Sequence, residues 1–429
     1  MNVNEDVMSI LAQPKDTELI NSPDTLSRNY GVSLEKAKKI AEILKSPRPD
    51  ILSDFPTNID LLNFNTLVRT ISNVVLSEST QTPLTICIDG EWGSGKTSIL
   101  KMIEAQARML NFACIWVNAW NLNNLQDMTS TINNEILREF ELQGDPDEDS
   151  NKENLRTYLW QWAKSPTNFS KVVETLLQES GKDESRLIVF IDDIDRAFPE
   201  QILMMLKSLK LILESSNCIF ILAMDVDVVA QSLAKAYIKQ NLANSNAIIS
   251  INSSDGSSVT IDQLTNTVSF PDGEDKLTKD FGYKYLEKLI QIQLKVPRLT
   301  RKIIRDYLQQ LNIIDEVIEI INMAPDNEIL NPRRLKQYIN WLSISLQLII
   351  ALPISSTVSN LTALRTLALR YDYPDVYDQI IESDNVYEVL NHYPHLKFLL
   401  DYGSFVRGIR EFDNFLSEIP MLNVKRRQS

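Results

Sequence analysis

Residues 90–97 read GEWGSGKT and carry glycines, a lysine and a threonine in the pattern G-x-x-x-x-G-K-T. Glycines at these positions let a backbone bend around an anion with its N–H groups turned inward. The lysine would lie beside the two outer phosphates of a nucleoside triphosphate, and the threonine hydroxyl would be a magnesium ligand. The segment is therefore predicted to bind nucleotide phosphates.

The predicted cofactor-binding residues are this loop and the residue that follows it: Gly90, Glu91, Trp92, Gly93, Ser94, Gly95, Lys96, Thr97 and Ser98. Among them, Lys96 is predicted to contact the β- and γ-phosphates and Thr97 to hold Mg²⁺. Only 11 of the 429 residues are glycine, where about 7% is usual. Because three of these glycines fall within six positions, a chance match explains the pattern poorly.

A pair of acids ends the apolar run RLIVFIDDIDR at residues 186–196. Two adjacent carboxylates at the end of a buried strand repel each other unless a cation is near. Asp192 is predicted to complete the Mg²⁺ site with Thr97, and Asp193 to orient the attacking water as a general base. The pattern thus predicts hydrolysis of the nucleotide.

A third apolar run, CIFILAMD, ends at Asp225. If its strand lies between the other two, Asp225 would emerge beside the γ-phosphate as a sensor residue. The same position suits the N-cap of the helix that follows, since an aspartate side chain accepts hydrogen bonds from the first free N–H groups. The sequence leaves both interpretations open.

Phosphoryl transfer also needs positive charge on its transition state, and a suitably placed arginine supplies it. Three arginines are candidates: Arg196, Arg333 and Arg334. Any of them could instead form a surface or structural ion pair. The sequence does not say whether such an arginine acts within the chain or on a neighbouring subunit.

These residues need a sheet to bring them together, and the chain alternates strand and helix patterns in the way typical of a covered parallel sheet. The predicted strands are Leu84–Asp89, Cys114–Asn118, Leu187–Asp192, Cys218–Ala223 and Leu289–Val296. The predicted helices are Phe64–Leu76, Thr97–Leu110, Met128–Glu141, Pro199–Glu214 and Val226–Lys239.

Three regions are predicted along the chain. Residues 1–54 form a helical segment with a linker, residues 55–297 the nucleotide-binding core, and residues 298–429 a helical lid and C-terminal domain. The core contains a helical insertion at 143–182 and a polar insertion at 241–280, in which a hairpin around Asp255 and Gly256 is predicted.

Composition narrows the class of protein. The net charge of −14 argues against a coat for nucleic acid, and three scattered cysteines argue against a disulfide framework or a cysteine zinc site. The cysteines are predicted to be buried thiols. No signal peptide or membrane-spanning run is apparent, so a cytoplasmic protein without membrane contact is expected.

With these residues assembled, the chain resembles the KAP family of P-loop NTPases, a branch of the additional-strand ATPases. The segments that carry the resemblance are NIDLLNF (58–64), CIDGEWGSGKTS (87–98), VNAW (117–120), VFIDDIDRAFPEQILMMLKSLKLIL (189–213), FILAMDVDVVAQSLAKAY (220–237), YLEKLIQIQLKVP (285–297) and NPRRLKQYIN (331–340). They extend from about residue 55 to about residue 345.

The resemblance implies a three-layer α/β sandwich with strand order 5-1-4-3-2, a helical C-terminal domain, and ATP as the nucleotide. It implies that Arg333 or Arg334 is the lid arginine and that Trp120 is a family hallmark; from the residues alone, Trp120 is equally a core aromatic at a strand end. Many members carry membrane helices between the loop and the acidic pair, which residues 98–191 lack. Bacterial relatives recur in anti-phage defence.

The function predicted is that of an ATPase whose nucleotide state changes its conformation or its assembly with itself or a protein partner. The alternative is a nucleotide-gated interaction module that binds ATP without turning it over. A nucleic-acid-stimulated ATPase is a third possibility, which the net charge disfavours.

Overall fold

The structure is a computed structural model. It describes residues 34, 51–122, 125–140, 157, 159, 169–179, 186–243, 251–252, 258–262, 267–269, 281–311, 313, 315–322, 324–351, 360–394, 396 and 403–418.

A five-stranded parallel sheet forms the centre of the fold. Its strands are β1 (Leu84–Asp89), β2 (Ala113–Asn118), β3 (Leu187–Asp192), β4 (Cys218–Met224) and, after three short strands elsewhere, β8 (Ile292–Lys295). The order across the sheet is β2-β3-β4-β1-β8, and every pairing in it is parallel. This confirms the predicted α/β fold and its strand order 5-1-4-3-2.

The helices that flank the strands include the crossover connections that parallel neighbours need. They are α1 (Asn65–Val75), α2 (Lys96–Met109), α3 (Leu125–Glu139), α4 (Phe169–Glu179), α5 (Pro199–Leu213) and α6 (Val226–Ala243). The strands β3 and β4 are buried along their whole length, as strands covered on both faces are. Their runs of β-branched and aromatic residues suit that position.

The predicted strands and helices agree with the structure within a few residues. Leu84–Asp89 and Leu187–Asp192 match fully, while the last strand is shorter than predicted and covers only Ile292–Lys295. Residues 289–291 end a short helical segment and its turn instead. Apolar character alone does not separate a helix end from a strand start, which explains the error.

The polar insertion contains three short antiparallel strands, β5 (Ile251–Asn252), β6 (Ser258–Asp262) and β7 (Thr267–Ser269). Asn252 pairs with Ser258, so the predicted hairpin is present, although its turn at Asp255 and Gly256 lies outside the described residues. Most of the insertion predicted at 143–182 also lies outside them, and helix α4 is its described part.

The described residues after β8 are helical. Their helices are α7 (Arg301–Gln310), α8 (Asp315–Ile321), α9 (Asp326–Ile329), α10 (Pro332–Ala351), α11 (Asn360–Asp372), α12 (Pro374–Glu382), α13 (Val386–Asn391) and α14 (Gly403–Glu418). None of the helices in the described part of the chain is both long and apolar enough to cross a membrane.

The chain divides into two compact units. The sheet unit is Asp54–Tyr307 with Asp326–Leu335, and the helical unit is Met1–Ser53, Leu308–Pro325 and Lys336–Ser429. Side chains from one face of the sheet pack with helices α3 to α6 in a large hydrophobic core of the sheet unit. A separate core in the helical unit joins residues of α11 to α14.

Two predictions about single side chains have clear outcomes. All three cysteines are buried and free, as predicted, and burial raises the pKa of the Cys87 and Cys218 thiols. Trp120, in contrast, is 58% exposed, so its interpretation as a core aromatic is wrong. It lies in a single 3₁₀ turn, Ala119–Asn121, that leaves the sheet immediately after β2.

Candidate functional site

The loop between β1 and α2 bends in a way that requires glycine. Gly93 and Gly95 have φ angles of +82° and +101°, in the region that side-chain-bearing residues rarely adopt. A Cβ atom at Gly93 would lie 2.7 Å from Cβ of Arg333, and one at Gly95 would lie 3.1 Å from the Phe64 ring. Phe64 belongs to the NIDLLNF segment, so this segment packs against the loop where α2 begins.

Lys96 opens helix α2 and turns its side chain back into the loop. Its Nζ donates to the carbonyl oxygens of Gly90 at 2.7 Å and Glu91 at 3.2 Å. It also lies 3.4 Å from Oδ2 of Asp195, and both side chains are 8% exposed. The Lys96 ammonium is thus buried and held by three oxygen atoms, all from protein groups. A cation held in this way can exchange these oxygens for those of a phosphate group.

Thr97 and Asp192 meet at the carboxyl edge of the sheet. The Thr97 hydroxyl lies near the Asp192 carboxylate, and the Asp193 N–H donates to Oδ1 of Asp192 at 2.9 Å. Asp192 is 2% exposed, and this burial raises the pKa of its carboxyl, against the lowering effect of the nearby Thr97 hydroxyl. The neighbouring charge of Asp193 raises it further, so a cation here would stabilise the ionised pair.

Asp193 follows the strand in the left-handed backbone region, with φ +61°. Its carboxylate accepts a hydrogen bond from Nδ2 of Asn118 at 3.3 Å and pairs with Nε of Arg196 at 2.8 Å. Half-burial raises the pKa of the Asp193 carboxyl, while the Arg196 charge lowers it. Asn118 reaches Asp193 because β2 and β3 are in parallel register with Asn118 opposite Asp192.

Asp225 lies at the end of β4, between β1 and β3, where the sensor interpretation requires it. Its Oδ1 also accepts hydrogen bonds from the N–H groups of Asp227 and Val228, at 3.1 and 3.2 Å, which is the N-cap geometry. Burial raises the pKa of the Asp225 carboxyl, and the Val228 hydrogen bond opposes the rise. The structure thus gives Asp225 both the position of the first interpretation and the bonds of the second.

Two further aspartates belong to the site and were not among the predicted residues. Asp195 accepts hydrogen bonds from both Lys96 Nζ and the Asp225 N–H, the latter at 3.2 Å, and so joins the loop to the end of β4. Asp89 ends β1 and accepts from the Val226 N–H at 3.1 Å and from Gln293 Nε2 at 3.1 Å. A sequence signal was available, because Asp89 ends a predicted strand and Asp195 lies shortly after one. Their partners are distant in sequence, so the contacts themselves could not be predicted.

The turn before α10 contacts the tip of the loop. Asn331 Nδ2 donates to the Trp92 carbonyl at 3.0 Å, and the Arg333 N–H donates to the Gly93 carbonyl at 3.3 Å. The Arg333 guanidinium pairs with Asp54 at 2.5 Å. Two of the predicted arginines therefore have carboxylate partners in this structure, Arg196 with Asp193 and Arg333 with Asp54.

A cavity of about 420 Å³ opens beside the loop. Its walls come from the loop, from the segment after β8 and from the turn before α10: Gly90, Glu91, Ser94, Lys295, Val296, Pro297, Arg298, Asp326, Leu330, Asn331, Pro332 and Arg334. The third predicted arginine, Arg334, thus lines the cavity together with three loop residues. Glu91 pairs with Arg298 at 3.0 Å across part of its rim.

The remaining predicted loop residues have separate environments. The Oγ atom of Ser94 is buried and has no hydrogen-bond partner among the described residues. Ser98 Oγ instead accepts a hydrogen bond from the Thr57 N–H at 3.3 Å and holds the segment before α1. Trp92 projects from the loop with 67% of its surface exposed.

The residues present fit a phosphate group and Mg²⁺. The loop has two left-handed glycines, an unsatisfied buried hydroxyl at Ser94 and a buried lysine at its base. Within the described ranges no group of three or more His, Cys, Asp or Glu side chains could hold a metal alone. Mg²⁺ is commonly held by one or two carboxylates together with substrate phosphates, and Asp192 and Thr97 are the residues that would supply the protein's ligands.

Comparison with known proteins gives one family. The family model described as "KAP family P-loop domain" matches residues 64–250 and 271–349, which is more than half of the chain. The first matched segment includes the loop and the acidic pair, and the second includes the turn before α10. No curated protein matches the chain at a significant level.

The chain is also similar to several solved structures, at low sequence identity. The ORC2 protein of Aeropyrum pernix, in ADPNP–ADP complexes, is 16% identical, with a TM-score of 0.39 and 88% of each chain covered. The Cdc6p protein of Pyrobaculum aerophilum is 13% identical, with a TM-score of 0.35 and 90% of each chain covered. AMPPCP-bound DnaA of Aquifex aeolicus is 14% identical, with a TM-score of 0.26, covering 87% of this chain and 97% of that one.

Proposed function

Because this chain belongs to the KAP family of P-loop domains, we propose that it binds ATP with Mg²⁺ and hydrolyses the bond to the γ-phosphate. The observation that carries the proposal is the meeting of the loop and the acidic pair: the hydroxyl of Thr97, next to Lys96, lies close enough to the Asp192 carboxylate to lower its pKa. Phosphoryl transfer needs these groups at one point, because one holds the phosphates and the other the metal.

The chain's own residues would bind the triphosphate through the loop. The N-terminus of α2 supplies N–H groups and a positive dipole end, and Lys96 exchanges the Gly90 and Glu91 carbonyls for phosphate oxygens. The buried Ser94 hydroxyl gains a partner in the same step. The exchange is favourable because a bond between an ammonium and a phosphate is charge-assisted on both sides.

Mg²⁺, when bound, neutralises charge on the β- and γ-phosphates. Thr97 and Asp192 are the residues that would hold it, through a hydroxyl and a carboxylate that lie close together. A divalent cation at this point would also relieve the repulsion from Asp193, which adds to the effect of burial in raising the pKa of the Asp192 carboxyl.

Asp193 is the residue we assign to the attacking water. Its half-burial raises the pKa of its carboxyl, which makes the carboxylate a stronger base than an exposed aspartate. Asn118 fixes the side chain from one side. Positive charge for the transition state would come from Arg196, which pairs with Asp193, from Arg333 beside Gly93, or from Arg334 in the cavity wall.

The output of the cycle would pass through the turn before α10. Asn331 and Arg333 are bonded to the carbonyls of Trp92 and Gly93, so a change in the loop reaches the first turn of that helix directly. We propose that nucleotide state thereby changes the conformation of the chain or its assembly with itself or a protein partner.

Steady-state ATP turnover by the purified chain, with Mg²⁺, tests the proposal. Lys96→Ala should lower turnover by about 10²-fold or more, since it removes the charge on the outer phosphates. Lys101→Ala is the matched control, because Lys101 lies on the same helix but pairs with Glu104 at 2.8 Å, away from the loop. Equal turnover by wild type and Lys96→Ala would refute the site.

Assembly needs a separate measurement. The mass of the particle in solution, by light scattering with and without a non-hydrolysable ATP analogue and Mg²⁺, should change on binding if assembly is the output. An unchanged mass would leave a conformational change within one chain as the output.

One observation favours a second function, a nucleotide-gated module without turnover. Asp193 is already engaged by Arg196 at 2.8 Å and by Asn118, so a water-orienting carboxylate must first lose its arginine. If ATP does not displace Arg196, the chain would bind nucleotide and remain in that state. Tight ATP binding with negligible turnover would support this function over hydrolysis.

We also infer the setting of anti-phage defence from family membership. Phage plating on cells that carry wild type or Lys96→Ala tests it, and equal plating on both would contradict it. DNA-stimulated turnover that falls steeply with salt would instead favour action on nucleic acid, which the charge of −14 disfavours.

A further inference from the structure

An exposed tryptophan at the tip of the loop lies between two arginines. The Cζ atoms of Arg196 and Arg333 are 5.7 and 5.3 Å from the centroid of the Trp92 ring. Both distances are within the range of attraction between a cation and an aromatic face. The two arginines come from different parts of the chain, one after β3 and the other in the first turn of α10.

Each of these guanidinium groups also has a carboxylate partner. Arg196 pairs with Asp193 at 2.8 Å, and Arg333 pairs with Asp54 at 2.5 Å. The arginine side chains are 33% and 27% exposed, so both ion pairs are in contact with solvent. Ion pairs of this kind are weak and exchange readily.

The ring is not what holds the loop in place. The backbone of the loop tip is fixed by the hydrogen bonds of Asn331 to the Trp92 carbonyl and of Arg333 to the Gly93 carbonyl. With 67% of its surface exposed, the Trp92 side chain contributes little to the core. Its contacts with the two arginines therefore need an explanation other than folding.

We propose that Trp92 is a positioning residue that seats Arg196 and Arg333 beside the loop, where the terminal phosphate of a nucleoside triphosphate competes with Asp193 and Asp54 for their guanidinium groups. The inference rests on the proposed nucleotide site. A phosphate offers the arginine fork two oxygens and more negative charge than a carboxylate. A nucleoside diphosphate lacks the group that competes, so the seat distinguishes the two nucleotides.

The exchange has two consequences for the chain. When the terminal phosphate binds Arg196, it releases Asp193, the carboxylate assigned to the attacking water. The base is therefore free to act only while a terminal phosphate is bound. Release of Asp54 from Arg333 frees the segment that precedes α1. Binding and readiness for hydrolysis are then coupled through one aromatic ring.

Equilibrium affinities for ADP and for a non-hydrolysable ATP analogue, both with Mg²⁺, test the proposal without requiring turnover. Trp92→Ala should weaken the preference for the triphosphate by about tenfold, the effect of losing two such contacts. Its affinity for ADP should stay at the wild-type value, which also shows that the loop is folded. Trp92→Phe, which keeps an aromatic face, should restore most of the preference.

A double substitution separates seating from a general effect. In an Arg333→Ala background, the further change Trp92→Ala should reduce the preference much less than it does in wild type, because one seated group is already gone. Tyr387→Ala is the control for loss of an exposed aromatic, since Tyr387 is 49% exposed and belongs to the helical unit.

Different binding results would overturn the nucleotide site and the seating role of Trp92. If wild type binds neither nucleotide, the proposed function is wrong and the seat has no ligand. If wild type binds both and Trp92→Ala keeps the full preference for the triphosphate, the seat is wrong while the proposed function stands. An equal loss of affinity for both nucleotides in Trp92→Ala and Trp92→Phe would likewise overturn it, since that is the result of a damaged loop.

Discussion

Lys96 is the residue on which the candidate site depends most. Its ammonium is bound to two loop carbonyls and to Asp195, whose carboxylate in turn accepts the Asp225 N–H. One side chain thus links the loop, the end of β3 and the end of β4. A phosphate that draws Lys96 away would change the surroundings of Asp195 as well, so binding is felt at two strand ends.

The first prediction at this scale concerns the assigned base. Asp193→Asn keeps the size of the side chain but removes the proton acceptor, so turnover should fall by about 10²- to 10⁴-fold. ATP affinity, measured by equilibrium binding, should not fall, because Asp193 contacts neither the loop carbonyls nor Lys96 and its carboxylate competes with the terminal phosphate for Arg196. Asp375→Asn, an exposed position in α12, provides a control of the same chemistry. Undiminished turnover in Asp193→Asn would exclude Asp193 as the base.

The second prediction concerns Asp89, which is 8% exposed and accepts from both Val226 N–H and Gln293 Nε2. Asp89→Ala leaves the buried Val226 N–H without an acceptor and should lower the free energy of unfolding by about 1–3 kcal/mol. Asp89→Asn retains one acceptor and should lose less. Urea unfolding of the three proteins measures the difference; equal stability of Asp89→Ala and wild type would contradict the assigned bonds.

At the scale of elements, parallel register decides which side chains meet. Because all five strands point the same way, their carboxyl ends share one edge, where Asn118, Asp192 and Asp89 end their strands. The register between β2 and β3 places Asn118 opposite Asp192, which brings it to Asp193. The helices begin at the same edge, so their N-terminal N–H groups point toward the site.

A close approach between elements gives the third prediction. A Cβ atom at the buried Gly282 would lie 2.1 Å from the carbonyl oxygen of Ala230 in α6. Gly282→Ala must therefore push the segment 281–286 away from α6 and should lower the free energy of unfolding by about 2 kcal/mol. Lys284→Ala, at an exposed position of the same segment, should leave it unchanged. Equal thermal or urea stability of both variants would show that the segment adapts without cost.

At the scale of the whole molecule, the net charge of −14 opposes the binding of a polyanionic nucleotide. The positive charges that would offset this locally are Lys96 at the base of the loop, Arg333 and Arg196 at Trp92, and Arg334 in the cavity wall. The fold brings each of these positive charges to the loop, although the chain as a whole is acidic.

The helical unit carries the fourth prediction, a dependence of stability on pH. Burial raises the pKa of the Asp372 carboxyl from 3.8 to about 7, although the Tyr338 hydroxyl donates a hydrogen bond to Oδ2 at 2.5 Å. Its Oδ1 is buried and has no partner among the residues that the structure describes. The folded state therefore binds this proton more tightly than the unfolded state does.

The sign follows from that difference. The stabilising contribution is complete below pH 3.8 and is lost as pH rises through about 7. Between pH 5 and 8 the free energy of unfolding should fall by about 2 kcal/mol from this group. Asp372→Asn should remove that part of the slope, while Asp375→Asn should retain it, as urea unfolding at several pH values will measure. Parallel slopes in wild type and Asp372→Asn would disprove the assignment.

The elements of the sheet were predictable from sequence for a simple reason. Runs such as LTICID and LIVFID are apolar, β-branched and ended by acids, so both strands were placed correctly to the residue. The phosphate loop was equally predictable, because its glycines and Lys96 form a pattern within a few consecutive residues. The short strand β8 was the exception, since the apolar residues before it belong to a helical segment.

What the sequence determined by itself was therefore local: the strands, the loop, the acidic pair and the family. What the tertiary structure alone decided were contacts between residues far apart in the chain, such as Lys96 with Asp195, Asp193 with Asn118, and Trp92 with two arginines. The exposure of Trp120 was likewise decided by the tertiary structure alone. Local backbone preferences are encoded within a few residues, whereas a partner at a strand end depends on sheet order and register.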